Sequence, residues 1–151
     1  MSDQLGIVEL SDACAAMRAH SLALFAQIGA WVATTSPGEQ QRLFAEACHR
    51  HAWHAELWEA RAPTIPAAHT PIAHTPTADT MSPPSAAPSP VDGDDTRRER
   101  YRAELSSLED QLRSLRTRID PALDPSTART IDLVGRDVVE IAERLDALRT
   151  R

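Results

Sequence analysis

A long proline-rich gap divides this chain into two stretches with different helical patterns, and no other feature limits its fold as strongly. Eight of the eleven prolines fall between Ala62 and Asp95. Proline lacks the backbone donor and its ring clashes with the preceding helical turn, so a run of prolines halts a helix. The same segment repeats Ala-His-Thr-Pro, at Ala68 to Pro71 and Ala73 to Pro76, and continues with Ser82-Pro83-Pro84-Ser85 and Asp92-Gly93-Asp94-Asp95. Such a composition buries too little apolar surface to offset the entropy of ordering, and a spacer is the expected role, His69 and His74 included. Three units follow: an N-terminal helical hairpin over 1–62, a flexible Pro/Ala/Thr/Ser-rich linker over 63–95 and a C-terminal antiparallel hairpin over 96–151. Without the gap about 115 residues remain, enough for one modest core.

The C-terminal unit has the more regular pattern. Tyr101, Leu105, Leu108, Leu112, Leu115 and Ile119 recur in alternating steps of four and three, and so do Ile131, Val134, Val138, Ile141, Leu145 and Leu148. That alternation marks a narrow apolar seam on each of two helices. Asp120-Pro121 closes the first and Asp124-Pro125 opens the second. Glu104, Arg116, Arg118, Asp137 and Arg144 flank the seams and read as solvated borders.

The N-terminal unit is built differently. Its first helix is expected from an N-cap at Ser11 or Asp12 to about Thr35, with Cys14, Met17, Ser21, Leu24, Phe25, Ile28, Trp31 and Val32 on one face. The other side holds Ala16, Ala19, Ala23, Ala26 and Ala30, and only Arg18 carries a permanent charge between Ala13 and Pro37. A helix that is apolar nearly all round is central in its bundle or covered by a partner. A homo-oligomer, or a helical protein partner bound through this Ala-rich face, is the expected association. Ser36 as N-cap, Pro37 at the first helical position and Glu39 at the third would open a second helix running to about Arg61. On it Leu43, Phe44, Ala47, His51, His54, Ala55 and Trp58 share an inward face, while Glu46, His49, Trp53 and Glu56 point away. The expected fold class is all-α, a four-helix bundle of two antiparallel hairpins around one core.

Composition narrows the function. The net charge is −6, every positive side chain is an Arg, and no Lys occurs. An acidic chain without a basic face argues against nucleic acid as partner. The run Leu22 to Ala33 is interrupted by Gln27 and too short to span a bilayer, so no membrane association is expected. Met1-Ser2-Asp3-Gln4 has no basic leader, and the expected compartment is the cytoplasm. In an antiparallel hairpin turning near Pro37, Cys14 and Cys48 lie roughly 18 Å apart along the axis, too far for a disulfide. The five glycines form no phosphate loop, and no Ser or Cys sits in a nucleophile elbow, so no catalytic or cofactor-binding residues are assigned.

One constellation could hold a metal. Cys48-x-x-His51-x-x-His54 lines one side of the second helix, and His20 comes level with His54 across the hairpin. Three imidazoles and a thiol suit tetrahedral zinc, or iron if carboxylates join them. The alternative is buried imidazoles that hydrogen-bond inside a core filled by Trp31 and Trp58.

The stretch from Leu43 through Glu46, Cys48, His49, His51 and His54 to Trp58 resembles the second helix of small bacterial ferritin-like proteins. The order hairpin, long crossover, hairpin is similar to that fold. The resemblance implies a di-iron site made from a Glu on each of two helices and Glu-x-x-His on each of the other two. Glu46-x-x-His49 has that spelling but faces outward, and Glu104, beside the third seam, is the one acidic candidate from the C-terminal half. The first helix has no inward Glu, because Glu9 precedes its expected start, and the fourth has no His. The function expected is a non-catalytic ferritin-like assembly or binding protein. The alternative is a metal-binding, redox-active ferritin-like protein holding iron or zinc at His20, Cys48, His51 and His54, with Glu46, His49 and Glu104 as weaker ligands.

Overall fold

The computed structural model describes residues 4–63 and 93–149, which contain α-helices and no strand. In chain order these are α1 (Ile7–Val32), α2 (Glu39–Arg61), α3 (Asp94–Thr117) and α4 (Pro125–Arg149). The linker expected over 63–95 lies, apart from its ends, outside the described residues, and so do His69 and His74.

Two helix starts differ from expectation. α1 begins a turn earlier than Ser11, because the Glu9 carboxylate accepts the Gly6 N–H at 2.8 Å and satisfies a donor the new helix would leave bare. Glu9 therefore belongs to the helix, on its exposed first turn. α2 takes Gly38 as N-cap and Glu39 as its first residue, while the Ser36 N–H donates to the Asp94 carboxylate at 3.2 Å, tying the α1–α2 turn to the start of α3. α4 starts as its sequence implies: the Asp124 carboxylate accepts the Thr127 N–H at 3.0 Å, and Pro125 occupies the first turn, where its missing donor costs nothing.

α1 and α2 run antiparallel. Arg18 meets Glu59 at 3.5 Å, Gln41 donates to the Val32 carbonyl at 3.0 Å, and the Cys48 thiol points at the Phe25 carbonyl at 3.5 Å. Their seam is narrow at Gly29, where a Cβ would sit 3.3 Å from Cys48 Sγ. α4 lies antiparallel to α2 through Arg50–Glu140 at 2.9 Å and Arg144–Glu46 at 2.5 Å. It lies antiparallel to α3 through Arg102–Asp146 at 3.2 Å and Arg116–Asp132 at 3.3 Å. Across the bundle α2 and α3 point the same way, Gln40 donating to the Asp94 carbonyl at 2.7 Å near their starts.

All four helices feed one apolar cluster, which includes Leu24, Trp31, Phe44, Trp58, Leu105 and Ile141. Both C-terminal seams are buried except Leu148, which is half-buried. Each fully buried leucine contributes about 1.5–3 kcal/mol relative to exposure. Phe25 departs from its expected place in the core and is 42% exposed. It stands about 100° around the helix from Leu24, at the edge facing α2, and the interior beside it is already filled by Ile28 and Trp31. Cys14 and Cys48 are free thiols. No described helix is long and apolar enough to cross a membrane.

Candidate functional site

The interior stripe of α2 carries two fully buried histidines, and each finds its partner on a different helix of the C-terminal hairpin. His51 Nε2 lies 2.7 Å from the Tyr101 hydroxyl of α3. His54 Nε2 lies 3.0 Å from the Asp137 carboxylate of α4, and Asp137 also faces Arg50 at 3.8 Å. From α1, His20 Nδ1 lies 3.2 Å from the Gln111 side-chain oxygen, and its Nε2 is 4.0 Å from Glu104.

Burial sets the charge state of this network. It pushes His51 down to about 3, with neighbouring His54 and His20 adding to the effect. It pushes Tyr101 above the ordinary phenol range. At neutral pH, then, two neutral groups share one hydrogen bond. His54 is also lowered by burial, although the hydrogen bond and charge of Asp137 oppose the shift. The rings stack edge to face, His51 on Tyr101 at 5.9 Å and on His54 at 5.6 Å, and Tyr101 continues to Phe44 at 5.9 Å. His51 Nδ1 and His54 Nδ1 are buried without a partner among the described residues.

The expected metal ligands are separated by these bonds. His20, His51 and His54 each direct a ring nitrogen to a separate partner, and among the described residues no three His, Cys, Asp or Glu side chains converge where an ion could sit. Cys48 is half-buried and turned to the α1 backbone, with its thiol pushed up by burial. Glu46 and His49 lie on the exposed side of α2, and the hydrogen bond from Arg144 holds Glu46 below the usual carboxylate range. Glu104 is half-buried, with its carboxylate 4.0 Å from His20 Nε2. These residues do not fit a di-iron centre, which needs several carboxylates aimed at one point inside the bundle.

Tyr101, Asp137 and Gln111 are the participants that the sequence reading missed. Tyr101 is the chain's only tyrosine and replaces an aliphatic residue in an otherwise Leu/Ile seam, which was the available signal. A buried phenol requires a partner, and two inward histidines lie on α2. Asp137 stands next to seam residue Val138 and was indistinguishable from a solvated border.

The second feature lies on the outside. Ala15, Ala19, Leu22, Phe25, Ala26 and Ala30 of α1 and Ala33 at its C-cap are all exposed. From Ala19 to Thr35 the one ionisable residue is His20, which is buried on the other side of the helix. The outer surface of α4, by contrast, exposes Arg129, Asp132, Arg136 and Glu143. Between α3 and α4 an open groove of about 500 Å³ has Leu112 and Ile131 in its floor and Arg113, Arg116 and Asp132 along its walls. Comparison with family models, with curated proteins and with solved structures finds no match for this chain.

Proposed function

We propose that this chain is a non-catalytic helical-bundle binding protein that uses the outer face of α1 to hold another helical surface, on a scaffold with a ferritin-like order of hairpin, crossover and hairpin. The observation that carries the reading is the exposure of Leu22, 38%, and Phe25, 42%, on a face without charge from Ala19 to Ala33. A lone exposed apolar residue is ordinary, whereas a contiguous uncharged face on a protein with 25% charged residues marks an interaction surface. The buried histidines support the non-catalytic part of the reading. Each is bonded inside the bundle, and burial keeps His51 neutral.

The test is photocross-linking in cells that naturally make the protein. A benzophenone amino acid placed at Ala26 should give discrete adducts, while the same group at Glu143 on the charged side of α4 should not. Equal yields from both sites, or no adduct from Ala26, would sink the reading.

A further inference from the structure

We propose that the occupant of this face is a second copy of the chain, docked as an antiparallel α1–α1 pair about a two-fold axis near Ala26. This deepens the binding reading above and rests on it. The face is unequal along its length. Its first half carries the large side chains Leu22 and Phe25, and its second half is Ala26, Ala30 and Ala33. A two-fold interface brings each patch against the same patch of the other copy, so the patch must complement itself. Antiparallel pairing about Ala26 sets Leu22 of one copy level with Ala30 of the other and Ala19 level with Ala33, while the two Phe25 side chains flank the axis on opposite sides. Parallel pairing would oppose Leu22 to Leu22 and leave the alanine half unfilled.

Charge agrees with shape. The α1 strip from Ala19 to Ala33 offers no charge, so the same strip of a second copy covers it without stranding an ion, while the exposed His49 and Glu56, one turn from Ala45 and Ala52 on the adjoining α2, stay at its border. The Arg18–Glu59 pair lies at one end of the face, where it can remain in water.

Area fixes how tight the pair can be. From Ala19 to Ala33 the uncharged face is about 21 Å long at the helical rise, and with the exposed Ala45 and half-buried Ala52 of the adjoining α2 it is about 20 Å wide. That gives about 800 Å² buried in total, in the range of weak, transient pairs rather than stable complexes. The dimer is accordingly concentration-dependent.

Sedimentation of the purified full chain over a concentration series tests this. The chain should pass from monomer to dimer, and Ala26→Glu, which sets two carboxylates face to face at the axis, should weaken association by more than about tenfold. The position is exposed on a helix, so circular dichroism and the melt should be unchanged at concentrations where the parent is monomeric. Val139→Glu, exposed on α4, should dimerise normally. Register is read from a swap: Leu22→Ala and Ala30→Leu should each weaken the dimer, and the double variant should recover it. A monomer at every concentration, or an Ala26→Glu protein that dimerises like the parent, overturns the proposal. If the parent is monomeric but the Ala26 cross-linker captures a different protein, the second-copy inference fails while the binding reading stands.

Discussion

Acid should unfold this protein through its interior, well before surface carboxylates titrate. His51 is fully buried, and its folded-state pKa is lowered from 6.5 to about 3, chiefly by burial. A histidine depressed in the folded state binds its proton more readily in the unfolded chain. Its effect is therefore absent above about pH 6.5, grows as pH falls, and is complete near pH 3. Each pKa unit corresponds to about 1.4 kcal/mol, so His51 alone should remove about 2 kcal/mol between pH 7 and pH 5. His54 is lowered too and adds in the same direction. Glu46, Asp124 and Glu140 are held below their ordinary values and begin to matter only under more acidic conditions. Urea melts at pH 7, 6 and 5 for the parent and for His51→Gln separate the contributions. Glutamine can still bond Tyr101 but has no proton to gain, so the variant should lose about 2 kcal/mol less than the parent over this range. Parallel losses in the two proteins would refute the argument that His51 is buried and neutral.

Three further outcomes follow from the packing. Tyr101→Phe strands His51 Nε2 in the core and should cost about 1–3 kcal/mol in urea melts, and a change below about 0.5 kcal/mol would mean that water reaches the imidazole. Gly135→Ala should raise stability by about 0.5–1 kcal/mol in the same assay, since a Cβ there meets nothing within 4 Å and the position is inside α4. Residues 93–151 expressed alone should show no cooperative monomeric melt by circular dichroism, because their seams and the Tyr101 hydroxyl complete their packing only against α1 and α2.

The helical half of this architecture was legible because its signals are local. Steps of three and four from Tyr101 to Ile119 and from Ile131 to Leu145 coincide with the buried faces of α3 and α4. The inward face read for α2, from Leu43 to Trp58, is its buried face. Helix starts were less legible: the Glu9 side chain can cap α1 only by folding back on Gly6, a choice of rotamer that spacing does not reveal. Phe25 was assigned to the core because its wheel position borders the buried face, and only competition with Ile28 and Trp31 for interior volume decides against it. The histidine partners lie 50 to 91 residues away in sequence, at Tyr101, Asp137 and Gln111, and depend on how two hairpins dock. A single chain read along its length carries no direct record of that docking.

The polar core also bears on how two hairpins joined by a long linker settle on one alignment. Seams of leucine and isoleucine repeat every heptad, so apolar burial alone distinguishes poorly between registers displaced along the axis. His51–Tyr101 and His54–Asp137 do not repeat. Sliding α2 by one turn, about 5.4 Å, against α3 and α4 would break both bonds and leave imidazole, phenol and carboxylate groups without partners in the core. Each orphaned group costs about 1–3 kcal/mol, which is a large share of the 5–15 kcal/mol that stabilises a typical domain. Both register-setting bonds originate on α2, whereas α1 joins the bundle through the narrow Gly29–Cys48 seam and through His20. The docking chemistry thus sits on three helices and on the inner side of the fourth. The outer side of α1 does not take part in alignment, and its uncharged residues are available for an intermolecular contact without loss of the internal one.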